Sequence, residues 1–344
     1  MGTLSAWIDA VPPEFCSQEE KHAVAHLLAN LPPCSRDIGL EADLGHPGNL
    51  YAVGLAITRD DERTSALLPS GRDLRLHKLA LRSAAWRRLS TFVLAWLHLQ
   101  ARSLGPRVPF VFLEFDRAPT WQNTPCIFVA LDWPLAELEP QFRQQAPFAV
   151  PGFQMVLQLL VLLGDRAAGE QAHCLARCWR QLPEGGVWSH VGVLTSRPEV
   201  GRRVSLLLPR GSVATYLERV APAVDSAPIV QLLERYGAMC HFDRVGKRVQ
   251  LELDVGEHVS ARVGLSLVPK QPEGWRPLLD ALVRDGLCEP RCATAALNWE
   301  EGAIRPLAGG RGLVPYLSHA KLVVHGERAT VAKLYLGLRD PRHC

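Results

Sequence analysis

A β-hairpin is predicted by the stretch Ser318-His319-Ala320-Lys321-Leu322-Val323-Val324, a turn at His325-Gly326-Glu327-Arg328, and Val331-Ala332-Lys333-Leu334-Tyr335-Leu336-Gly337-Leu338. Both arms alternate in polarity, and side chains two positions apart in a strand lie on the same face of a sheet. One face would carry only small and aliphatic side chains, namely Ala320, Leu322, Val324, Leu334, Leu336 and Leu338. The other would carry His319, Lys321, Lys333, Tyr335 and Gly337, and we expect functional residues on this polar face.

The pattern of a helical segment followed by a strand pair occurs five times along the chain. Three of the predicted first strands share the sequence Leu-Glu-x-Asp, at residues 40–43, 113–116 and 251–254. The repeats are expected at about 17–58, 72–132, 135–209, 212–269 and 275–338, inside a single domain that covers residues 1–344. Ten antiparallel strands are stabilised by closing into a barrel, which leaves no unpaired edge. We therefore predict an α/β fold, a ten-stranded antiparallel barrel with helices outside and a polar lumen.

The segments between the hairpins have less regular patterns. Helical regions are expected at 72–104, 135–182 and 212–236. The third hairpin is expected to consist of strands 188–196 and 203–208. Residues 288–312 are expected to be irregular, and Gly309-Gly310-Arg311-Gly312 to form a flexible loop near the mouth of the barrel.

The polar strand faces should line the lumen, because the apolar faces need a dry layer that the amphipathic helices supply from outside. The predicted lumen residues are Glu41, Asp43, Glu114, Asp116, Glu252, Asp254, Arg203, Ser205, Arg262, Ser266, His319, Lys321, Lys333 and Tyr335. Cations that converge in a partly dry chamber suit a multiply charged anion such as a diphosphate, since a low dielectric strengthens each contact. A carboxylate across the chamber could act as a general base. Alternatively, these charges pair only with one another as an internal salt-bridge network.

The predicted architecture and the Lys-x-Tyr sequence at Lys333 and Tyr335 resemble the antiparallel (ABBA, or PT) barrel of the aromatic prenyltransferases. This is the family of dimethylallyltryptophan synthase and of the cyanobactin peptide prenyltransferases. The resemblance implies that lumen Lys and Arg residues bind an allylic diphosphate and that tyrosines shield the allyl cation. It also implies that a glutamate on an early strand assists attack by an aromatic or peptide acceptor.

Carried over residue by residue, the resemblance predicts a donor site formed by Arg203, Arg262, Lys321 and Lys333, with Tyr335 as the cation shield. His319 is a further candidate for substrate binding, and Glu41 or Glu114 is the candidate catalytic residue that takes the proton. Mg²⁺ is a candidate cofactor, and no protein ligands for a metal are predicted.

Two other functions are compatible with the same barrel. A non-catalytic accessory protein of a biosynthetic pathway could hold a small molecule or a peptide in the lumen. The second strands of the first two repeats favour this alternative, because they carry Ala52 and Cys126 where a basic residue would help to offset a diphosphate. A third function is an enzyme whose Glu-x-Asp pairs bind a divalent metal through oxygen ligands.

Composition limits the partners that we expect. The chain has 344 residues, 47% hydrophobic and 21% charged, which is typical of a globular protein. A net charge of +3 gives no reason to expect a nucleic-acid or membrane partner. The most apolar run, residues 153–163, is too short to span a bilayer. Nine scattered cysteines and the absence of a signal-peptide pattern in residues 1–16 favour reduced thiols and a cytoplasmic location.

Two pairs of cysteines are spaced by one helical turn. These are Cys174 and Cys178, which follow His173, and Cys288 and Cys292. Thiols at this spacing on a helix could hold a metal ion, but the spacing is not the usual Cys-x-x-Cys. Buried free thiols are the more common arrangement, and we predict no metal at either pair.

Overall fold

Ten antiparallel strands form a closed barrel in the computed structural model, which describes residues 8–31, 37–58, 78–81, 83–98, 108–116, 124–132, 151–165, 172–197, 201–241, 248–300, 305–307, 311–326 and 328–339. The described residues contain these ten strands and two short additional ones, β7 and β10: β1 (Asp37–Asp43), β2 (Leu50–Thr58), β3 (Phe110–Asp116), β4 (Cys126–Ala130), β5 (Val187–Val193), β6 (Arg202–Pro209), β7 (Cys240–His241), β8 (Arg248–Val255), β9 (Val259–Pro269), β10 (Arg305–Leu307), β11 (Arg311–His325) and β12 (Arg328–Arg339). The order around the barrel is β11-β12-β1-β2-β3-β4-β5-β6-β8-β9, and pairing of β11 with β9 closes it. The predicted ten-stranded barrel of five hairpins is thus confirmed.

Helices connect the hairpins and pack on the outside of the barrel wall. They are α1 (Gln18–Asn30), α2 (Ala84–His98), α3 (Pro151–Leu162), α4 (Ala172–Arg180), α5 (Val213–Val220), α6 (Ala227–Tyr236), α7 (Trp275–Arg284) and α8 (Pro290–Glu300). No described helix is both long enough and apolar enough to cross a membrane. The start of α1 is fixed by a capping box, in which Ser17 and Glu20 each accept a hydrogen bond from the other's backbone N–H. The second oxygen of Glu20 accepts a hydrogen bond from the backbone of Leu50, which ties α1 to the barrel.

Several predicted boundaries were wrong, each for a local reason. The single helix expected at 212–236 is two helices, because Pro222 forces Ala221 out of the helical region, to φ −135° and ψ 64°. The strand expected to reach Ser196 ends at Val193, where the chain turns and the N–H of Arg197 bonds back to the carbonyl of Leu194.

The stretch expected to be irregular at 288–312 is also more ordered than predicted. It contains α8, which begins at Pro290, a residue well suited to the first turn of a helix. It also contains β10 and the start of β11, so Arg311 and Gly312 belong to a strand; Gly309 and Gly310 lie outside the described residues.

The structure describes only parts of the two long regions that were expected to be helical. The region expected at 72–104 contains α2, while residues 72–77 and 99–104 lie outside the described part of the chain. The region expected at 135–182 contains α3 and α4. The helix α3 is followed by Gly164, whose φ of 87° is a left-handed conformation that favours glycine.

The hydrophobic core lies between the outer face of the barrel and the helices. On β9, for example, Val263, Leu265 and Leu267 are completely buried in this core. The alternate residues Arg262 and Ser266 point into the lumen, as alternation along a strand requires. The strands therefore have the predicted register, with apolar faces outward and polar faces inward.

Two short strands lie beside the seam at which the barrel closes. The strand β9 pairs with β11 from Arg262 to Leu267, and its last two residues pair instead with β7. The first residues of β11 pair with β10. The barrel is therefore closed by a single ladder of six residue pairs between β9 and β11.

The register predicts that two neighbouring substitutions on β9 differ strongly in their effect on stability. Leu265→Ala should lower the free energy of unfolding by about 2–5 kcal/mol, because it leaves a cavity in the core. Ser266→Ala should change it by less than about 1 kcal/mol, since the buried Ser266 hydroxyl has no hydrogen-bond partner among the described residues. Urea denaturation of both variants measures the difference, and a reversed order would show that the register is wrong.

Candidate functional site

A buried carboxylate, that of Glu41 on β1, lies between two lysines of the last hairpin. Lys333 Nζ is 2.9 Å from Glu41 Oε1, and Lys321 Nζ is 3.4 Å from the same atom. The register brings them together, because Glu41 faces Tyr335 across β1 and β12 and Lys321 faces Lys333 across β11 and β12. Burial alone would raise the pKa of Glu41, but the two ammonium groups outweigh it and hold this pKa well below 4.5. Glu41 is therefore ionised.

The Glu41 carboxylate is also hydrogen-bonded, to the side chains of Lys333 and Tyr335, and both hydrogen bonds help to lower its pKa. The hydroxyl of Ser266, which faces Lys321 across β9 and β11, is by contrast buried without a hydrogen-bond partner in the described chain. Buried polar atoms are usually hydrogen-bonded, so this part of the lumen is suited to a polar ligand.

The ion pairs continue from Lys321 onto β8, β6 and β9. Lys321 Nζ is 3.1 Å from Glu252 Oε2, and Arg203 is 3.5 Å from the same oxygen. Arg203 Nε also donates to Asp254 at 2.6 Å, and Arg262 lies 3.2 Å from that carboxylate. Burial raises the pKa of Glu252, but Lys321 and Arg203 lower it to about 2. The four predicted donor-binding cations thus lie on one charged wall of the lumen.

Glu114 and Asp116 on β3 have a different partner, Arg197. The Arg197 guanidinium lies 2.7 Å from Glu114 Oε1 and donates from Nε to Asp116 at 2.7 Å. Burial raises the pKa of Glu114, and so does the negative charge of Glu41, while Arg197 opposes both effects. Arg197 was missed by sequence reasoning because it lies in the turn after β5, where no alternation indicates which way a side chain points.

Two tyrosine rings face the lysine ammonium groups. Lys333 Nζ is 3.7 Å from the centre of the Tyr51 ring, and Lys321 Nζ is 4.8 Å from that of Tyr335. Such contacts are cation–π interactions. Tyr335 is also stacked on His319, with ring centres 4.0 Å apart and planes 16° from parallel.

Tyr51 is a second residue that sequence reasoning did not assign to the site. A β-bulge between β1 and β2 leaves Tyr51 without a cross-strand partner and turns it toward the lumen. Its hydroxyl donates to Asp43 Oδ2 at 3.0 Å. Asp43 Oδ1 accepts hydrogen bonds from the backbone of Gly45 and His46, so this predicted lumen carboxylate also fixes the β1–β2 turn.

The wall formed by β3, β4 and β5 is aromatic. The rings of Phe110 and Phe112 meet edge to face with centres 5.0 Å apart, and His190 lies 5.7 Å from Phe112. Phe128 lies flat against Gly192, where an added Cβ would come within 2.3 Å of the Phe128 ring. Charged and aromatic surfaces therefore face each other across one lumen.

The two lumen histidines are neutral at neutral pH. Burial lowers the pKa of His190 to about 4. Burial, together with the nearby Lys321, lowers the pKa of His319 to about 4. Their imidazoles can therefore accept a proton or a hydrogen bond from a ligand.

All eight candidate residues lie on the lumen side, and the structure divides them into three groups. Glu41, Lys321, Lys333, Tyr335 and His319 form a continuous cluster. Arg203 and Arg262 join that cluster through Glu252 and Asp254, whereas Glu114 is paired with Arg197. Within the described ranges, no group of three or more His, Cys, Asp or Glu side chains is arranged to hold a metal ion.

Solved structures share this fold along nearly the whole chain. The prenyltransferase PriB, in a ternary complex with L-tryptophan and dimethylallyl thiolodiphosphate, matches with a TM-score of 0.52 and 15% identity, over 99% of this chain and 97% of that one. A 6-dimethylallyl tryptophan synthase matches with a TM-score of 0.50 and 14% identity, over 96% of this chain and 93% of the other. No family model and no curated protein matches the sequence. The predicted likeness to the barrel of the aromatic prenyltransferases is confirmed at the level of the fold.

Replacing the central carboxylate should destabilise the protein. Glu41→Gln leaves the buried Lys333 ammonium without the carboxylate beside it and leaves Lys321 with only Glu252, which should lower the free energy of unfolding by about 3–5 kcal/mol. Urea denaturation measures the loss, with Glu257→Gln on the exposed β8–β9 turn as the control. Adding Lys333→Met to Glu41→Gln should recover part of it, because fewer charges are then unpaired. Equal stability of Glu41→Gln and the wild type would show that the lumen is well hydrated.

The lumen histidines should make the protein sensitive to mild acid. Both have a pKa of about 4 in the fold against an ordinary value of 6.5, so the unfolded chain binds protons that the folded chain does not. The folded state keeps both histidines neutral, and this contributes to the free energy of unfolding in full above pH 6.5. The contribution is lost as the pH falls toward 4. The raised pKa of Glu114 acts in the opposite direction.

Thermal unfolding between these pH values tests this prediction. The melting temperature of the wild type should fall with pH, and the double variant His190→Gln with His319→Gln should show a clearly shallower fall. His22→Gln, at an exposed position of α1, is the control and should behave as the wild type does. An unchanged slope in the double variant would rule out the histidines as the cause.

Proposed function

We propose that this protein transfers a prenyl group from an allylic diphosphate to an aromatic acceptor, a small molecule or a peptide, inside the barrel. One observation carries the proposal: two lysine ammonium groups lie around Glu41, and each also contacts the face of a tyrosine ring. The same lumen thus offers cations for a diphosphate and π faces for an allyl cation. The fold is that of PriB, whose complex contains tryptophan and a dimethylallyl thiolodiphosphate.

The donor would bind at the charged wall. Lys321 and Lys333 reach the diphosphate from one side, and Arg203 and Arg262 reach it from the adjoining strands. Each of these cations is paired with a carboxylate in the structure, so diphosphate oxygens replace carboxylate oxygens as their partners. Binding would then be an exchange of ion pairs, and affinity would depend on how well the carboxylates are resolvated or protonated afterwards.

The chemical step follows from the same contacts. The allylic C–O bond breaks, and its electron pair leaves with the diphosphate. The π faces of Tyr335 and Tyr51 stabilise the allyl cation at the places where they otherwise contact ammonium groups. A carbon of the acceptor ring attacks the cation, a new C–C bond forms, and the ring loses a proton to a carboxylate.

Glu41 is our first candidate for the proton acceptor and Glu114 our second. The two lysines hold the pKa of Glu41 low, so their movement toward the diphosphate would raise this pKa and make the carboxylate a better base. The pKa of Glu114 is already raised, but its side chain is paired with Arg197.

The acceptor would lie against the aromatic wall. Phe110, Phe112 and His190 offer ring edges and faces on which an aromatic acceptor can pack. The neutral imidazole of His319, stacked on Tyr335, could hold a polar group of the acceptor or of the donor.

A specific observation favours a second candidate function, a non-catalytic binding protein. Every lumen cation that the structure describes is already near a carboxylate, which is the pattern of an internal salt-bridge network. Ala52 and Cys126 also supply no charge on the second strands of the first two repeats. Such a barrel could hold a small molecule or a peptide for another enzyme of a biosynthetic pathway.

Calorimetric titration distinguishes the two functions. Dimethylallyl diphosphate, geranyl diphosphate and inorganic pyrophosphate are titrated into the protein with and without Mg²⁺. The Mg²⁺ ion would bind as a counter-ion of the diphosphate. We expect the wild type to bind, and Lys333→Ala to bind roughly 10- to 100-fold more weakly, since contacts to charged groups contribute about 1.5–3 kcal/mol each. Lys270→Ala, at an exposed position, should leave the affinity unchanged.

Two outcomes would count against the proposal. Wild-type affinity in Lys333→Ala would exclude this lysine from the donor site. Absence of binding for all three ligands, with and without Mg²⁺, would favour the accessory binding protein. If the donor does bind, incubation with aromatic amino acids and aromatic peptides, followed by mass spectrometry, identifies the acceptor class.

A further inference from the structure

A pair of cysteines lies outside the lumen, on α4. Cys174 and Cys178 are four residues apart on this helix, so their side chains lie on the same side, one turn apart. Both are free thiols, and they are hydrogen-bonded to each other. Cys174 is 8% exposed and Cys178 is 0% exposed, so a reagent from solution reaches Cys174 first.

The two thiols have opposite electrostatic surroundings. Cys174 lies in the first turn of α4, where the helix dipole favours a negative charge. Arg177 donates to Cys174 Sγ at 3.9 Å and is held in place by a 3.0 Å hydrogen bond to the carbonyl of Val220. The hydrogen bond from Cys178 and the charge of Arg177 lower the pKa of Cys174 to about 6, although burial opposes them.

The remaining described cysteines provide a contrast. The hydrogen bond to Cys174, together with burial, raises the pKa of Cys178 well above 9. Burial also raises the pKa of Cys126, Cys240, Cys288 and Cys292, to about 11 or 12. Cys174 is therefore distinguished from each of these by both its geometry and its ionisation.

We propose that Cys174 is a site of covalent modification, a reactive thiolate that hydroperoxides oxidise and soft electrophiles alkylate, with Cys178 as its resolving thiol. The proposal rests on the placement of Cys174, Arg177 and Cys178 on α4 and is independent of the function of the lumen.

The oxidation is balanced by the two thiols and one hydroperoxide. The Cys174 sulfur attacks the outer oxygen of the hydroperoxide, an S–O bond forms, the O–O bond breaks, and the departing oxygen becomes an alcohol or water. The product is a sulfenic acid. The Cys178 sulfur then attacks the Cys174 sulfur, an S–S bond forms, the S–O bond breaks, and hydroxide leaves as water with the Cys178 proton.

Closing this disulfide requires α4 to distort. Cβ atoms four residues apart on a helix are about 5–6 Å apart, whereas a disulfide needs about 3.5–4.5 Å. The last turn of α4 also carries Trp179, whose ring lies 6.0 Å from Phe153 and 5.6 Å from Trp188. Trp188 is on β5, so oxidation of α4 would disturb packing at the barrel wall.

Alkylation of the native wild type tests the thiolate. Arg177 and Cys178 on α4 and His258 on the β8–β9 turn lower the pKa of Cys174, and Cys174 in turn helps to raise the pKa of Tyr216 on α5. Iodoacetamide labelling followed site by site with mass spectrometry should show Cys174 reacting with a midpoint near pH 6. At pH 7 it should react roughly a hundredfold faster than Cys240 or Cys288.

The Arg177→Gln variant should raise the midpoint of Cys174, while Arg219→Gln, at an exposed position of α5, should not. Labelling of Cys174 only in alkali, or at the rate of Cys240, would overturn the proposal. This measurement on the wild type does not depend on any variant being folded.

Peroxide treatment tests the resolving thiol. Mass spectrometry of the treated wild type should detect a disulfide between Cys174 and Cys178. In Cys178→Ser, dimedone should trap a sulfenic acid at Cys174 instead. No disulfide in the wild type and no dimedone adduct in the folded variant would overturn the assignment of Cys174 and Cys178 as a redox pair.

Discussion

The structure depends on the pairing of charges inside a closed sheet. The lumen places carboxylates of β1, β3 and β8 among cations of β6, β9, β11, β12 and the turn after β5. An unpaired charge in such surroundings costs several kcal/mol, whereas a pair with good geometry roughly offsets its own desolvation. Glu41 shows the balance most clearly, because burial and two lysines act on it in opposite directions. The fold can keep a charged interior only while these pairs are intact or while a ligand takes the place of one partner.

This constraint connects the two candidate functions. The ion pairs that neutralise the charges of the lumen are the contacts that a diphosphate would have to displace. A barrel evolved only to bind a neutral molecule would have less need for lysines that lie over tyrosine rings beside a carboxylate.

Much of the barrel could be predicted because the alternation of apolar and polar residues along a strand shows which face is buried in the core. Leu334, Leu336 and Leu338 against Lys333 and Tyr335 fix the register of β12, and the Leu-Glu-x-Asp repeats do the same for other strands. The missed features have other causes. Arg197 lies in a turn, Tyr51 is turned inward by a bulge, and β7 and β10, with two and three residues, are too short to show alternation. The break between α5 and α6, by contrast, was readable from Pro222.

The pairing of β1 with β12 also determines when the barrel can fold during synthesis of the chain. The partner strands of Glu41 come from the opposite end of the chain, so β1 has no neighbour on that side until the last hairpin has been synthesised. Pairing between such distant segments is slow, because the entropy of closing the loop is lost before any contact is gained. During synthesis Glu41 must therefore remain hydrated, and the charged wall is assembled in the final step of folding. The site and the closure of the barrel are thus a single cooperative event, and a chain that stops before β11 would have neither.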